Sequence, residues 1–267
     1  MAATAATRRL VLAAAAATLA LAGCGDGASD PAVGSASSPS TDTPLVVSAA
    51  ASLKTAFTDY AEAFTAGDAK LSFAGSDVLA AQIEQGARPD VFAAANTKLP
   101  DALYAKGLVE RPTVFAGNRL VLAVPTNSKI DDLGDVAERG VKLAIGSNSV
   151  PVGAYTRKVL DGLPAAESAA ILRNVRSEEP DVKGIVGKLT QGAVDAGFVY
   201  VTDVTAAKGD LRTIELPKAL QPSAAYGVAV VKGAKHPAAA NAFIAGLLDG
   251  AGQQALERAG FEPAPAG

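Results

Sequence analysis

From Pro44 onward, short apolar runs alternate with helix-like stretches almost to the end of the chain. The apolar runs are Leu45–Ala50, Leu71–Ala74, Val91–Ala94, Arg119–Pro125, Val141–Ile145, Ala196–Tyr200 and Gly227–Val231. Helical spacing fills many of the gaps, at Leu53–Thr65, Asp77–Gln85, Leu99–Lys106, Gly153–Leu160, Val182–Gln191 and Pro237–Leu248. Such alternation predicts parallel sheets covered by helices on both faces. A chain of 267 residues is long enough for two lobes. The stretch between Pro125 and Gln221 reads as a second α/β unit inserted into the first, which gives two lobes and a cleft. The sequence carries no internal repeat.

The N-terminus reads as a targeting segment. Arg8-Arg9 precedes an apolar run from Leu10 to Ala22, too short for the roughly 18 or more residues of a membrane span. Leu21-Ala22-Gly23-Cys24 then resembles a bacterial lipobox, and Cys24 is the single cysteine of the chain. The resemblance implies cleavage before Cys24 and lipid on its sulfur. "TRRLVL" also weakly resembles a twin-arginine export signal. Loss of residues 1–23 removes two arginines and takes the net charge from −3 to −5. Residues 24–43 are rich in Gly, Ser, Pro, Asp and Thr and have almost nothing to bury, as expected of a flexible tether. A domain tethered in this way works beside the membrane that holds it.

Several functions are excluded by what is missing. A net charge of −3 offers no basic surface for nucleic acid. One cysteine and one histidine cannot build a His/Cys metal site of the usual ligand count. There is no GxSxG, SxxK or HExxH, no GxxxxGK[ST] and no GxGxxG. His236 precedes Pro237 at a helix start and reads as a surface residue. Glu178-Glu179 stands before Pro180 and reads as a solvated loop. These features predict a protein that is not an enzyme.

Two serines stand where strand pattern turns to helix pattern. Ser52 is expected as the N-cap of a helix from Leu53, and Ser76 as the N-cap of a helix from Asp77. A helix N-terminus also presents free N–H groups and partial positive charge, so a hydroxyl beside it completes an anion site that needs no lysine or arginine. "SVPVGAY" places Pro151 in a first helical turn and frees the amides of Val152 and Gly153; "EEPDVKG" does the same with Pro180 and frees that of Val182. Tyr200 ends an apolar run, and its hydroxyl needs a partner if buried.

The stretches "VVSAAASLKTAF", "SFAGSDVLAAQIEQGARPDVFAAAN", "NRLVLAVP", "VPVGAY", "DVKGIVGKLTQGAVDAGFVYVTD" and "GLLDGAGQQALERAGF" run in order from Leu45 to Phe261. Together they resemble the periplasmic molybdate-binding proteins of ABC transporters. The resemblance implies a type II periplasmic-binding-protein fold. Each lobe would be a mainly parallel sheet flanked by helices, with a two-strand hinge between them. Lobe 1 would comprise residues 44–124 and 222–267, and lobe 2 residues 125–221. It further implies that Ser52 and Ser76 donate hydroxyl and backbone N–H from the first lobe. The amides of Val152 and Val182 and the Tyr200 hydroxyl would come from the second. Molybdenum would be held as the oxyanion, with no direct cation ligand and no cofactor. Molybdate, and tungstate beside it, would pass from a monomer at the outer face of the cell membrane to a permease and ATPase complex. Sulfate, phosphate or another oxyanion is the alternative ligand, and a lipid-anchored structural or adhesion protein is the alternative class. Two positions depart from the family pattern: Val152 replaces a small residue, and Asp77 stands where serine or threonine is common. Asp77 is expected to point outward, at a helix start that favours an acid.

Overall fold

The computed structural model describes residues Thr43–Pro265. The expected signal segment 1–23, Cys24 and almost all of the tether lie outside the described residues.

The first lobe opens with β1 (Leu45–Ala50), a 3-10 turn at Ala51–Leu53 and α1 (Lys54–Ala63). It continues through β2 (Ala69–Ala74), α2 (Ser76–Glu84), β3 (Val91–Ala94) and α3 (Lys98–Ala105). β1 lies between β2 and β3 and is parallel to both. Val47, Ala49, Val91 and Ala93 are fully buried, because helices cover both faces of these strands. The long strand β4 (Thr113–Pro125) then leaves the lobe.

The second lobe repeats the plan. Its elements are β5 (Leu143–Gly146), α4 (Pro151–Asp161), α5 (Ala165–Arg173), β6 (Val175–Glu179), α6 (Val182–Thr190), β7 (Ala196–Tyr200), α7 (Val201–Ala206) and β8 (Leu211–Ile214). Here β5 is the central strand, parallel to β6 on one side and β7 on the other. The chain returns through β9 (Ser223–Val230) and ends on α8 (Pro237–Leu248) and α9 (Ala251–Arg258) against the first lobe. There Phe243 of α8 meets Phe57 of α1 edge-on, with ring centroids 5.5 Å apart.

Among the described residues, every antiparallel strand pair involves β4 or β9, the strands that carry the chain between lobes. Residues Thr113–Arg119 of β4 pair with β9, and residues from Leu120 onward pair with β7 and β8. The strand therefore changes lobe between Arg119 and Leu120, short of the Pro125 boundary expected from the sequence. The return crossing runs through residues 215–222. Two crossings of this kind are what a hinge requires.

Two further expectations need correction. His236 is not a bland surface residue: its side chain is only 12% exposed. Its Nδ1 lies 3.1 Å from Asp90 Oδ2, and its Nε2 lies 3.0 Å from Thr43 Oγ1. Burial alone would raise the Asp90 pKa, but N–H bonds from Val46 and His236 and the imidazole itself outweigh it and hold the carboxyl below its ordinary value. Glu178 and Glu179 are the end of strand β6 and not a loop. Pairing with β5 orders them, and Arg157 Nη2 donates to Glu178 Oε1 at 2.7 Å.

Candidate functional site

In each lobe the chain leaves the central strand β1 or β5 for one neighbour and returns on the other side. Ligand crevices of open α/β sheets form beyond the carboxyl ends of strands at such a reversal. The carboxyl ends of β1, β2, β5, β6 and β7 lead into α1 (through the 3-10 turn), α2, α4, α6 and α7 respectively. The 3-10 turn before α1, the starts of α2, α4 and α6, and Tyr200 at the end of β7 line one cavity between the lobes.

All five residues singled out in the sequence, Ser52, Ser76, Val152, Val182 and Tyr200, line this cavity. The space open to the centre of a water-sized sphere is about 20 Å³. One water needs about 10–15 Å³ by that measure, so the cavity suits one compact ion and excludes a sugar or an amino acid. Among the described residues, no lysine, arginine or histidine lines it. Positive potential comes instead from the amides at the N-termini of α2, α4 and α6, with those of the 3-10 turn beside them.

The serines are not the caps the sequence suggested. Ser52 lies inside the 3-10 turn, and its Oγ is 2.9 Å from Tyr226 Oη on β9. Ser76 is the first residue of α2, with Gly75 at the cap, and its Oγ accepts from the Ala95 amide at 3.1 Å. An amide N–H can only donate, so the Ser76 hydroxyl keeps its own hydrogen for another acceptor. Both side chains are taken up by residues distant in sequence and are unavailable for capping. Pro151 does open α4, as expected, with Val150 at the cap. Pro180 does not open α6. Asp181 caps that helix, accepting from Lys183 N at 2.8 Å and Gly184 N at 3.2 Å. These two bonds leave the Val182 amide unclaimed by the cap. Asp181 also lines the cavity. An aspartate just before an apolar helical run is a legible cap signal that the sequence reading passed over.

Tyr200 is 1% exposed, and its hydroxyl has no hydrogen-bond partner among the described residues. Burial raises its pKa well above the ordinary value, so the phenol stays protonated and donates. A buried hydroxyl left unpaired costs about 1–3 kcal/mol, so this one calls for an acceptor in the cavity. Asp77 does not line the cavity, yet it does not point wholly to solvent. Its Oδ1 is buried and unpartnered among the described residues, held beside Gly75. Gly75 is a cavity residue that no motif singles out. A Cβ there would lie 2.4 Å from the Pro180 carbonyl oxygen and 3.2 Å from Val150 Cγ1, both across the cleft.

Residues 45–262 match the family model described as bacterial extracellular solute-binding protein. The chain belongs to this family. Its members bind solutes outside the cytoplasm. Among its relatives, the molybdate-binding protein ModA of Mycobacterium tuberculosis is 36% identical over 81% of this chain and 84% of its own length. ModA of Escherichia coli is 31% identical over 81% of this chain and 88% of its own. Solved structures agree on the fold of the solute-binding protein. The periplasmic molybdate-binding protein of Azotobacter vinelandii superposes with a TM-score of 0.73 at 21% identity, covering 81% of this chain and 98% of that one. The sulfate-binding protein SubI of Mycobacterium tuberculosis gives 0.74 at 18% identity, covering 84% and 88%. The fold alone thus fits binders of two different oxyanions equally well.

Proposed function

We propose that this solute-binding protein captures molybdate, and tungstate with it, and delivers it to the permease and ATPase of an ABC importer. The reading rests on one observation: a buried tyrosine hydroxyl without a partner lines a cation-free cavity with room for one small ion. The sequence relatives support molybdate as that ion. Ser52 and Ser76 with their amides, the Val152 and Val182 amides and Tyr200 are its ligands. Contact with both lobes draws them together about the hinge, and the loaded shape is what a permease recognises. Acylation of Cys24 holds the protein at the outer membrane face, where it works as a monomer.

Selectivity follows from size. Molybdate, tungstate and sulfate are tetrahedral dianions near neutral pH, and a pocket of donors cannot separate them by charge. Donors set for the two larger ions sit too far from sulfate oxygens, and hydrogen bonds weaken as they lengthen.

Ser76→Ala tests the site. A hydrogen bond to a charged group contributes roughly 1.5–3 kcal/mol, or about 10- to 100-fold in affinity. Titration calorimetry with sodium molybdate should show that loss, and Tyr200→Phe should show a similar one from the opposite lobe. Wild-type affinity in both variants would remove the assigned ligands.

A further inference from the structure

Where the start of α2 meets the residues just before α6, the seam between the lobes sets one acceptor against another. Gly75, the cap of α2, has no side chain, and the point that a Cβ would occupy lies in this seam. Beyond the chain neighbours of Gly75, three atoms come nearest to that point. Asp77 Oδ1 of the first lobe is 2.8 Å away, and Val150 Cγ1 of the second is 3.2 Å away. The Pro180 carbonyl oxygen, also of the second lobe, is closer still. A methyl does not donate, and carboxylate and carbonyl oxygens only accept. Asp77 Oδ1 is buried and has no hydrogen-bond partner among the described residues. Among the same residues no backbone N–H donates to Pro180 O. The groups that follow Pro180 are engaged elsewhere. Asp181 Oδ1 accepts from the Lys183 and Gly184 amides, and Lys183 Nζ donates to Asp203.

When the lobes part, water reaches both oxygens. When they meet, each loses that water and finds no donor. Burying an unpaired acceptor is unfavourable, and more so when it is charged. The cost therefore falls on the closed state alone. In the open state the same carboxylate is favourable, because an acid in the first turn of a helix suits its dipole. We infer that Asp77 is a brake on closure: a positioning residue that sets its carboxylate against the Pro180 carbonyl across the cleft, weakens the loaded closed form and speeds release of the bound anion. Asp77 does not line the cavity, so it acts through the closure of the lobes and not by touching the anion. The inference rests on the reading of the cavity as an anion site closed by the hinge, and it adds what opposes that closure.

Asp77→Asn tests it. The variant keeps the shape of the side chain and puts an NH₂ where an acceptor stood, so it can donate to Pro180 O. Calorimetry with sodium molybdate should show about tenfold tighter binding, and stopped-flow displacement should assign the gain to slower dissociation. Asp77→Ala removes the carboxylate without supplying a donor, and should tighten binding by less. Both variants lose the same charge, so repulsion of the dianion alone would make them equal, and equal affinities overturn the inference. Unchanged or weaker binding in Asp77→Asn overturns it too, since the seam would then already be bridged. A second reading needs no anion. By linkage the gain in affinity must appear as a gain in the closed fraction of the empty protein. Single-molecule energy transfer between labels on the two lobes should show that fraction rise about tenfold in Asp77→Asn, and an unchanged fraction refutes the brake. Failure of the underlying site looks different: wild type takes up no molybdate, while the closed fractions of the two empty proteins still differ.

Discussion

Gly75→Ala is expected to weaken molybdate capture by about 10- to 100-fold while leaving the unliganded protein as stable as wild type. At Gly75 φ is −57° and ψ is 137°, a conformation that any L-residue adopts, so alanine is not strained there by its own backbone. The obstacle lies across the cleft. The new methyl would sit 2.4 Å from the Pro180 carbonyl oxygen and 3.2 Å from Val150 Cγ1 of the other lobe; Asp77 Oδ1, 2.8 Å away on its own lobe, is the end of a side chain that can turn aside. Pro180 O belongs to the backbone and cannot swing aside. Forcing a methyl into a packed contact costs about 1–3 kcal/mol, and here that cost falls only on the state in which the lobes meet. Calorimetry gives the affinity, and small-angle scattering with and without molybdate gives the closure. An alanine variant that binds and contracts like wild type would show that closure does not bring these atoms together.

The largest loss of stability is expected from Lys183→Met. The Asp203 side chain is fully buried, and Lys183 Nζ donates to its Oδ1 at 2.8 Å. Its other oxygen accepts from the Tyr200 amide at 3.2 Å. Burial raises the Asp203 pKa above its ordinary value even though Lys183 and the Tyr200 amide pull it down. Removing one partner of a buried pair leaves an uncompensated charge and costs about 3–5 kcal/mol. Lys183 is 32% exposed on its side chain, which places the expected loss at about 3 kcal/mol, the lower end of that range. The pH dependence has a definite sign. A carboxyl whose folded pKa is raised binds a proton more readily in the folded state, so folding is favoured as pH falls. The deficit of the variant should be smallest below the unfolded carboxylate pKa and complete above the folded one. Urea melts across the acid range measure it. A loss under about 1 kcal/mol with no pH dependence would make this an ordinary surface pair. The pair also ties α6 beside Val182 to α7 beside Tyr200, so a milder loss of molybdate affinity should accompany the stability change.

The central strands were legible because their residues are apolar without interruption, as in Val91–Ala94 and Ala196–Tyr200. Strand β6, Val175–Arg176-Ser177-Glu178–Glu179, was not, since it lies at the sheet edge with side chains that alternate between exposed and partly buried. Helix α5 was hidden by its composition: in Ala165–Arg173 four of the nine residues are alanine, which gives little periodic contrast. The first half of β4 escaped because its pairing with β9 bends at a bulge between Val114 and Ala116. The five residues singled out in the sequence do line the cavity, although the capping roles assigned to the serines were wrong and Gly75 and Asp181 were missed. The reason is physical. Serine at a strand-to-helix junction reads as a cap, and only the fold shows that Ala95 and Tyr226 claim the two hydroxyls. Gly75 matters through Val150 and Pro180, which are far from it in the sequence, and nothing local marks it.

The claim that this is a molybdate receptor is tested most directly by thermal unfolding of the soluble domain in a panel of oxyanions. A ligand at 100 times its Kd stabilises the folded state by about 2.7 kcal/mol, and for a domain of this size each kcal/mol moves Tm by about 2–4 °C. Molybdate and tungstate should therefore each raise Tm by about 5–10 °C, and sulfate and phosphate at the same concentration should raise it far less. A shift by sulfate or phosphate as large as that by molybdate, or no shift with any of the four, would contradict it.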